Sequence, residues 1–167
     1  VVEGNLVVRG NMERMLSKMT YDLVDFAADY ESAVAILESK NIHLVLIDIV
    51  LATFKTGIEL GDFIRKNHRI PFIFITSNSD RATVSKAKKV HPNGYIVKPF
   101  ESKDLFTAIE IALFNFQYEK PRKLLNTSKV KIKSYPNNIL TDSIFIKKQY
   151  IFYRISFHDI YYIKVDN

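Results

Sequence analysis

The chain contains no cysteine among its 167 residues, so it can form neither a disulfide framework nor a thiolate metal site. No apolar run approaches the roughly 20 residues that a membrane-spanning helix needs, and no secretory signal pattern opens the sequence. We therefore expect a cytoplasmic protein without a membrane partner. The first residue is Val1, inside what is predicted to be a strand, so we also expect further residues before it.

Several signatures of enzymes and ligand sites are also missing. No GxGxxG sequence follows the first predicted strand and there is no P-loop, which leaves little support for a dinucleotide-binding protein or an NTPase. No nucleophile-elbow sequence accompanies a Ser-His-Asp arrangement. The four histidines are far apart and lack metal-ligand spacing, which favours structural or surface positions for His43, His68, His91 and His158.

The composition is that of a globular protein with an uneven charge. Hydrophobic residues make up 47% of the sequence, and the length allows one full domain plus a fragment of another. Residues 1–120 contain 15 basic and 15 acidic residues, whereas residues 121–167 contain 9 basic and 3 acidic residues. This asymmetry predicts a neutral domain joined to a basic segment with an anionic partner. An ordinary solvated basic surface is the alternative.

Predicted strands and helices alternate five times in the first 120 residues. The predicted strands are Val1-Val2, Asp22 to Ala27, Leu44 to Asp48, Phe72 to Thr76 and Gly94 to Val97. The predicted helices are Leu6 to Met19, Tyr30 to Lys40, a third after Gly57, Asp80 to Val90 and Lys103 to about Glu119. Alternation with helix-length crossovers predicts an α/β fold with a parallel sheet covered on both faces. We expect a flavodoxin-like (βα)5 domain with strand order 2-1-3-4-5.

Two helix starts carry capping residues, and one helix has a weak apolar face. Asp29 and Ser79 are predicted to cap the second and fourth helices. The apolar stripe of the fourth helix consists only of Thr83, Ala87 and Val90. We therefore expect this helix to be the least firmly packed of the set.

Polar side chains follow the predicted strands at one edge of the sheet. Asp48 ends a buried strand, Thr76 and Lys98 end the next two, and Glu3 follows the first. In open α/β sheets this edge is where ligands bind. A carboxylate nucleophile beside a hydroxyl, a lysine and a divalent cation suits phosphoryl transfer to the carboxylate. Taken alone, Asp48 could equally be a helix cap or a loop residue.

This ordered set resembles the receiver domain of two-component response regulators over residues 1 to about 120. The spacing of 28 residues from Asp48 to Thr76 and of 22 from Thr76 to Lys98 fits that family. The motifs that carry the resemblance are Asp48 after its apolar strand, Phe74-Ile75-Thr76-Ser77 and Tyr95-Ile96-Val97-Lys98-Pro99-Phe100.

The resemblance implies a role for each of these residues. Asp48 accepts phosphate from a sensor histidine kinase, and Lys98, joined to Pro99 by a cis peptide bond, pairs with the phosphoryl group. Thr76 is the switch hydroxyl. Rotation of Tyr95 changes the face formed by the fourth helix, fifth strand and fifth helix, through which a homodimer is possible. Such a protein is not an enzyme beyond promoting its own phosphorylation and dephosphorylation.

The chain departs from the family after the first strand. Two adjacent acidic residues are usual there, but this sequence has Glu3-Gly4. Glu3, Asp48 and the backbone carbonyl of Val50 remain as implied Mg²⁺ ligands. We therefore expect weakened Mg²⁺ binding and slower phosphorylation. A phosphate-independent or weakly phosphorylated pseudo-receiver acting as a protein-interaction module is the alternative, and a flavodoxin-like enzyme that binds a small anionic ligand is a more distant one.

The sequence becomes β-rich after residues 120–128, which are predicted to be a linker. Strands are predicted within Ile144 to Ile155 and at Ile160 to Ile163. Residues 142–148 and 155–163 resemble the start of a LytTR-type DNA-binding domain. We thus expect a receiver at 1–119 and a truncated LytTR-like domain at 129–167, together a transcriptional response regulator. A basic β-rich tail that merely packs on the receiver is the alternative.

Overall fold

The computed structural model describes residues 1–51, 53–77, 80–118, 143–148 and 151–156. Its helices are α1 (Leu6–Ser17), α2 (Tyr30–Ser39), α3 (Gly57–Asn67), α4 (Arg81–Lys88) and α5 (Ser102–Tyr118). Its strands are β1 (Val45–Asp48), β2 (Phe72–Thr76), β3 (Gly94–Val97), β4 (Ser143–Lys148) and β5 (Ile151–Ser156). No helix within these residues is long and apolar enough to cross a membrane.

The strands form one sheet in the order β1-β2-β3-β5-β4. β1, β2 and β3 are parallel, with Ile47 opposite Phe74 and Phe74 opposite Tyr95. β5 pairs antiparallel with both β3 and β4. The α/β fold with a parallel sheet is therefore confirmed. The expected β structure between Ile144 and Ile155 is present as β4 and β5.

The first two predicted strands are single bridges rather than strands. Val2 forms parallel bridges with Ala27 and with Ile47. The Val2 N–H donates to the Leu46 carbonyl at 2.8 Å, and the Asp48 N–H donates to the Val2 carbonyl at 2.9 Å. The chain bends at Gly4 directly afterwards. The order across the sheet nevertheless matches the one expected for the five strands. It runs from Ala27 through Val2 to β1, β2 and β3.

Helices cover both faces of the sheet, and β1, β2 and β3 are therefore buried on both sides. Alternate residues of a strand point to opposite faces, so Ile47 and Phe74 belong to one core and Leu46 and Ile73 to the other. The first core is closed by α2, α3 and α4, and the second by α1 and α5. This two-sided packing accounts for the continuous apolar runs of β1 and β2.

One of the two predicted helix caps is correct. The Asp29 Oδ1 accepts the Ser32 N–H at 2.8 Å at the start of α2. The cap of α4 is Asp80 rather than Ser79, because its Oδ1 accepts the N–H groups of Ala82 and Thr83 at 2.8 and 3.0 Å. The capping role predicted for Ser79 therefore belongs to Asp80, one residue nearer the helix. Ser79 itself lies outside the described residues.

Three other expectations fall on parts of the chain that the structure does not describe or does not test. Residues 120–128 and the predicted strand Ile160 to Ile163 lie outside the described ranges. The domain boundaries at 119, 128 and 129 stay predictions.

α4 ends at Lys88, two residues before the predicted end, and its only buried residue is Ala87, in line with its weak apolar stripe.

Candidate functional site

Three charged side chains meet at the carboxyl ends of the parallel strands. The Lys98 Nζ donates to Asp48 Oδ2 and to Glu3 Oε2, each at 2.6 Å. These partners are 50 and 95 residues away in the sequence. Both carboxylate side chains are largely shielded, at 11% exposed for Asp48 and 6% for Glu3. The sheet edge therefore brings together the acidic and basic residues that the sequence singled out.

Asp48 is fixed by its own loop and by the start of α3. Its Oδ1 accepts the Val50 N–H at 2.9 Å, which leaves Oδ2 for Lys98. The Gly57 N–H donates to the Ile49 carbonyl at 2.9 Å, so α3 begins directly against the end of β1. A Cβ at Gly57 would lie 2.0 Å from the Asp48 carbonyl oxygen. Only glycine allows this approach.

Glu3 is held by groups at the start of α1. Its Oε1 accepts the Asn5 N–H at 2.8 Å, and Asn5 is itself the N-cap of α1. The Arg9 Nε donates to the Glu3 carbonyl oxygen, with the guanidinium placed over the Phe26 ring. Sequence reasoning missed Asn5, Arg9 and Gly57 as site residues. An Asn directly before an apolar-periodic helix was the one available signal, and it indicated only a cap.

Lys98 is positioned by its backbone. Its N–H donates to the Thr76 carbonyl at 2.8 Å, and its peptide bond to Pro99 is cis, as expected. Thr76 is fully buried at the end of β2, opposite Val97. The same backbone link therefore ties the lysine to the residue that bears the predicted switch hydroxyl.

Tyr95 and Val50, the remaining predicted residues, lie at different depths. Tyr95 is buried in the core on the α4 side, with its ring edge-on to Phe74 at 6.3 Å between centroids. Burial, with repulsion from Asp80 and Asp48, raises the pKa of Tyr95 to about 12. The Val50 side chain is exposed and its N–H is bound to Asp48. The metal-binding role of its carbonyl stays a prediction.

Burial and pairing set the protonation of the three central groups. Burial raises the pKa of Asp48, and the hydrogen bond from Lys98 offsets only part of the rise. Burial also acts to raise the pKa of Glu3, but the Lys98 and Asn5 hydrogen bonds outweigh it and lower the value. Burial acts to lower the pKa of Lys98, yet both carboxylates together raise it. With all three ionised, the cluster carries one uncompensated negative charge.

This cluster can attract a cation and present one carboxylate oxygen to an electrophile. Within the described part of the chain, no group of three or more His, Cys, Asp or Glu residues could hold a metal. Two carboxylates are nevertheless sufficient for Mg²⁺, which keeps waters and is often held by one or two carboxylates plus phosphate. The residues present therefore fit Mg²⁺ with few protein ligands.

Comparison with known proteins identifies the arrangement. Residues 1–110 match the family described as "Response regulator receiver domain". The chain belongs to this family. A receiver domain is a signalling module rather than an enzyme, typically binds Mg²⁺, and implies a cognate histidine kinase.

Curated relatives of this receiver are regulators of transcription or response regulators. The transcriptional regulatory protein PdtaR of Mycobacterium tuberculosis is 30% identical over 117 residues, which is 70% of this chain and 57% of PdtaR. The response regulator ArlR of Staphylococcus haemolyticus is 28% identical over 144 residues, or 84% of this chain and 65% of ArlR. The chain thus spans a little over half the length of PdtaR and just under two thirds of ArlR.

Solved receiver domains share the fold. The signal receiver domain of a modulated diguanylate cyclase from Desulfovibrio desulfuricans G20 is 29% identical, with a TM-score of 0.67 over 71% of this chain and 94% of that one. The receiver of an HD domain-containing protein from Pseudomonas fluorescens Pf-5 is 25% identical, with a TM-score of 0.63. The predicted receiver is therefore confirmed, whereas the predicted LytTR-type domain stays a prediction.

Proposed function

We propose that this receiver is phosphorylated on Asp48 by a histidine kinase and thereby controls an output region that follows it. The observation that carries the proposal is the 2.6 Å contact between Lys98 Nζ and Asp48 Oδ2. An ammonium at this distance can stabilise the negative charge that a phosphoryl group brings to the same oxygen. Asp48 attacks the phosphorus, and the bond from phosphorus to the kinase histidine nitrogen breaks.

Thr76 and Tyr95 form the proposed switch. Thr76 is buried next to the end of β3, where its carbonyl accepts the Lys98 N–H. Movement of the Thr76 hydroxyl towards a phosphoryl oxygen therefore leaves a space next to β3. Tyr95, which is in β3 and faces α4, is the side chain placed to respond. The sparse packing of α4, with Ala87 as its only buried residue, suits an element with two arrangements.

Glu3, Asp48 and the Val50 carbonyl are the proposed Mg²⁺ ligands. Mg²⁺ supplies positive charge to the phosphoryl oxygens during transfer. Gly4 offers no side-chain oxygen where the family usually has a second acid, so binding is weaker than in a receiver with two acids. Lys98 contacts both remaining carboxylates. Its ammonium supplies part of the positive charge that a tightly bound Mg²⁺ would bring to the site.

A phosphate-independent interaction module is the second candidate function. The observation that favours it is that the Lys98 ammonium contacts one oxygen of both Glu3 and Asp48, at 2.6 Å each, and so ties the two carboxylates together. Such a site can hold one fixed arrangement, and partner binding then controls the output.

The proposed output is DNA binding by a LytTR-type domain, with homodimerisation through α4, β3 and α5. The basic excess in residues 121–167 supports an anionic partner, and the names of relatives such as PdtaR support a role in transcription regulation. The basic charge suits attraction to a phosphate backbone. Residues 142 and 157–163 of the resemblance lie outside the described ranges.

Intact-mass spectrometry after incubation with Mg²⁺ and acetyl phosphate or phosphoramidate tests the proposal. We expect the chain to gain one phosphoryl mass and Asp48→Asn to gain none. No gain in a folded chain would contradict phosphorylation and favour the interaction module.

A further inference from the structure

We infer that the outer edge of β3 is the docking site for the chain's own hairpin of β4 and β5, and that phosphorylation of Asp48 loosens this docking. The first half of the inference stands on backbone pairing alone. The second half rests on the proposed function.

The direction of the backbone groups in β2 follows from a hydrogen bond to β1. In a parallel ladder, a residue turns its N–H and C=O to one neighbouring strand and the next residue turns to the other. The Val45 N–H donates to the Pro71 carbonyl at 3.0 Å, so Pro71 and every second residue after it bond to β1. Phe74 therefore bonds to β3.

The same alternation sets the direction of Tyr95. Phe74 lies opposite Tyr95, so the bonds of Phe74 go to the residues on either side, Gly94 and Ile96. Tyr95 turns its own N–H and C=O away from β2, where it lies opposite Phe152 of β5. The backbone of the proposed switch residue is thus the point at which the hairpin attaches.

An edge strand with unpaired backbone groups invites another strand. β5 supplies that strand from within the chain, with Gly94 opposite Tyr153 and Ile96 opposite Ile151. α5 also contacts β5. Only three residue pairs join β3 to β5, against six that join β4 to β5. The hairpin can therefore leave the receiver as a unit, since its internal pairing is the more extensive.

The phosphorylation site reaches this edge through Lys98. Its side chain is bonded to Asp48, and its N–H is bonded to the Thr76 carbonyl directly after β3 ends. A phosphoryl group on Asp48 gives Lys98 and Thr76 new partners and so moves the end of β3, two residues beyond Tyr95. Movement of the end of β3 disturbs the pairing of this strand with β5. A ligand that fits a different arrangement shifts the population away from docking.

Nuclear magnetic resonance of the full chain tests the docking without any substitution. Ile96 and Ile151 form a pair without mutual hydrogen bonds, in which the Cα atoms lie about 4.5 Å apart. We expect a nuclear Overhauser effect between their Hα atoms. Its absence from an assigned spectrum would overturn the docking.

Amide hydrogen exchange gives a second test with a matched pair of variants. Phe152→Pro removes the N–H directed at Tyr95, whereas Phe152→Leu keeps it. We expect the Tyr95 amide to exchange about tenfold faster or more in Phe152→Pro than in Phe152→Leu. The Ile96 amide, which bonds to Phe74 of β2, serves as an internal control and stays protected in both. Equal exchange of Tyr95 in the two variants would overturn the docking.

Phosphorylation then tests the coupling. After treatment with acetyl phosphate and Mg²⁺, we expect faster Tyr95 exchange in the wild-type chain and no change in Asp48→Asn. A phosphorylated chain whose Tyr95 exchange is unchanged would overturn the coupling. Failure to gain phosphoryl mass would instead contradict the proposed function and leave the docking result standing on its own.

Discussion

Lys98 and Asp48, at the ends of β3 and β1, form an ion pair of 2.6 Å between Nζ and Oδ2 in which the two side chains are only 16% and 11% exposed. Glu3 shares the same ammonium at the same distance. One cation thus serves two shielded carboxylates, and both the stability of this sheet edge and its chemistry depend on that cation.

Replacement of Lys98 by Met should destabilise the fold and abolish phosphorylation. Two shielded carboxylates would then face each other without a cation, at a cost of roughly 3 kcal/mol in the free energy of unfolding. Protonation relieves this repulsion, so the loss should be larger near neutral pH than in mild acid. Urea unfolding at both pH values measures it. Lys66→Met, which breaks an exposed ion pair with Asp62, is the control and should change stability by less than about 1 kcal/mol.

The Tyr95 phenol should ionise about two pH units above an exposed tyrosine. Burial and the nearby carboxylates raise its pKa from 10.0 to about 12. The unfolded chain therefore releases this proton first, so the contribution of Tyr95 to stability is complete below pH 10 and is lost as the pH rises towards about 12. The difference between the absorbance titrations of wild type and Tyr95→Phe isolates this group. A midpoint near 10 would contradict the prediction.

A methyl group at Gly57 should disturb the site directly. The Cβ of Gly57→Ala would lie 2.0 Å from the Asp48 carbonyl oxygen, and the start of α3 must shift to admit it. We expect a loss of about 3 kcal/mol in unfolding free energy, together with slower phosphorylation. Gly10→Ala is the matched control, because nothing lies within 4 Å of its added Cβ. That change, inside α1, should stabilise the chain by about 0.5–1 kcal/mol.

Introduction of an acid at Gly4 should strengthen Mg²⁺ binding. Gly4→Asp adds a carboxylate oxygen next to Glu3, which we expect to tighten Mg²⁺ binding by about tenfold. Since the chain has no tryptophan, tyrosine fluorescence is the natural signal for the titration. Gly10→Asp adds the same charge in α1 as a control. Equal Mg²⁺ affinities of wild type and Gly4→Asp would show that the missing acid is not what limits binding.

Much of the site was predictable because parallel strands end at one edge. The apolar runs before Asp48 and Thr76 are long enough to indicate buried strands, and alternation with helices makes those strands parallel. Those two facts predict that Asp48, Thr76 and Lys98 lie together at one edge of the sheet. The cis peptide bond at Pro99 was expected only through the family resemblance.

What the sequence did not reveal depends on distances between segments. The need for glycine at position 57 follows from how closely α3 approaches the end of β1, which no local pattern encodes. The predicted cap of α4, Ser79, is one residue away from the observed cap, Asp80. The sequence does not separate them because both side chains can accept the N–H groups at the start of a helix. The predicted strands Val1-Val2 and Asp22 to Ala27 are reduced to bridges at Val2 and Ala27, and the number of residues that pair depends on contacts between segments.

The position of β5 also has a consequence for self-association. The edge of β3 can accept one strand at a time, so a second copy of the chain must compete with a hairpin tethered to the same molecule. The effective concentration of a tethered segment is on the order of millimolar. A dimer that pairs through the edge of β3 can therefore form only after the hairpin has left. The oligomeric state of the chain in solution then indicates whether the hairpin is docked.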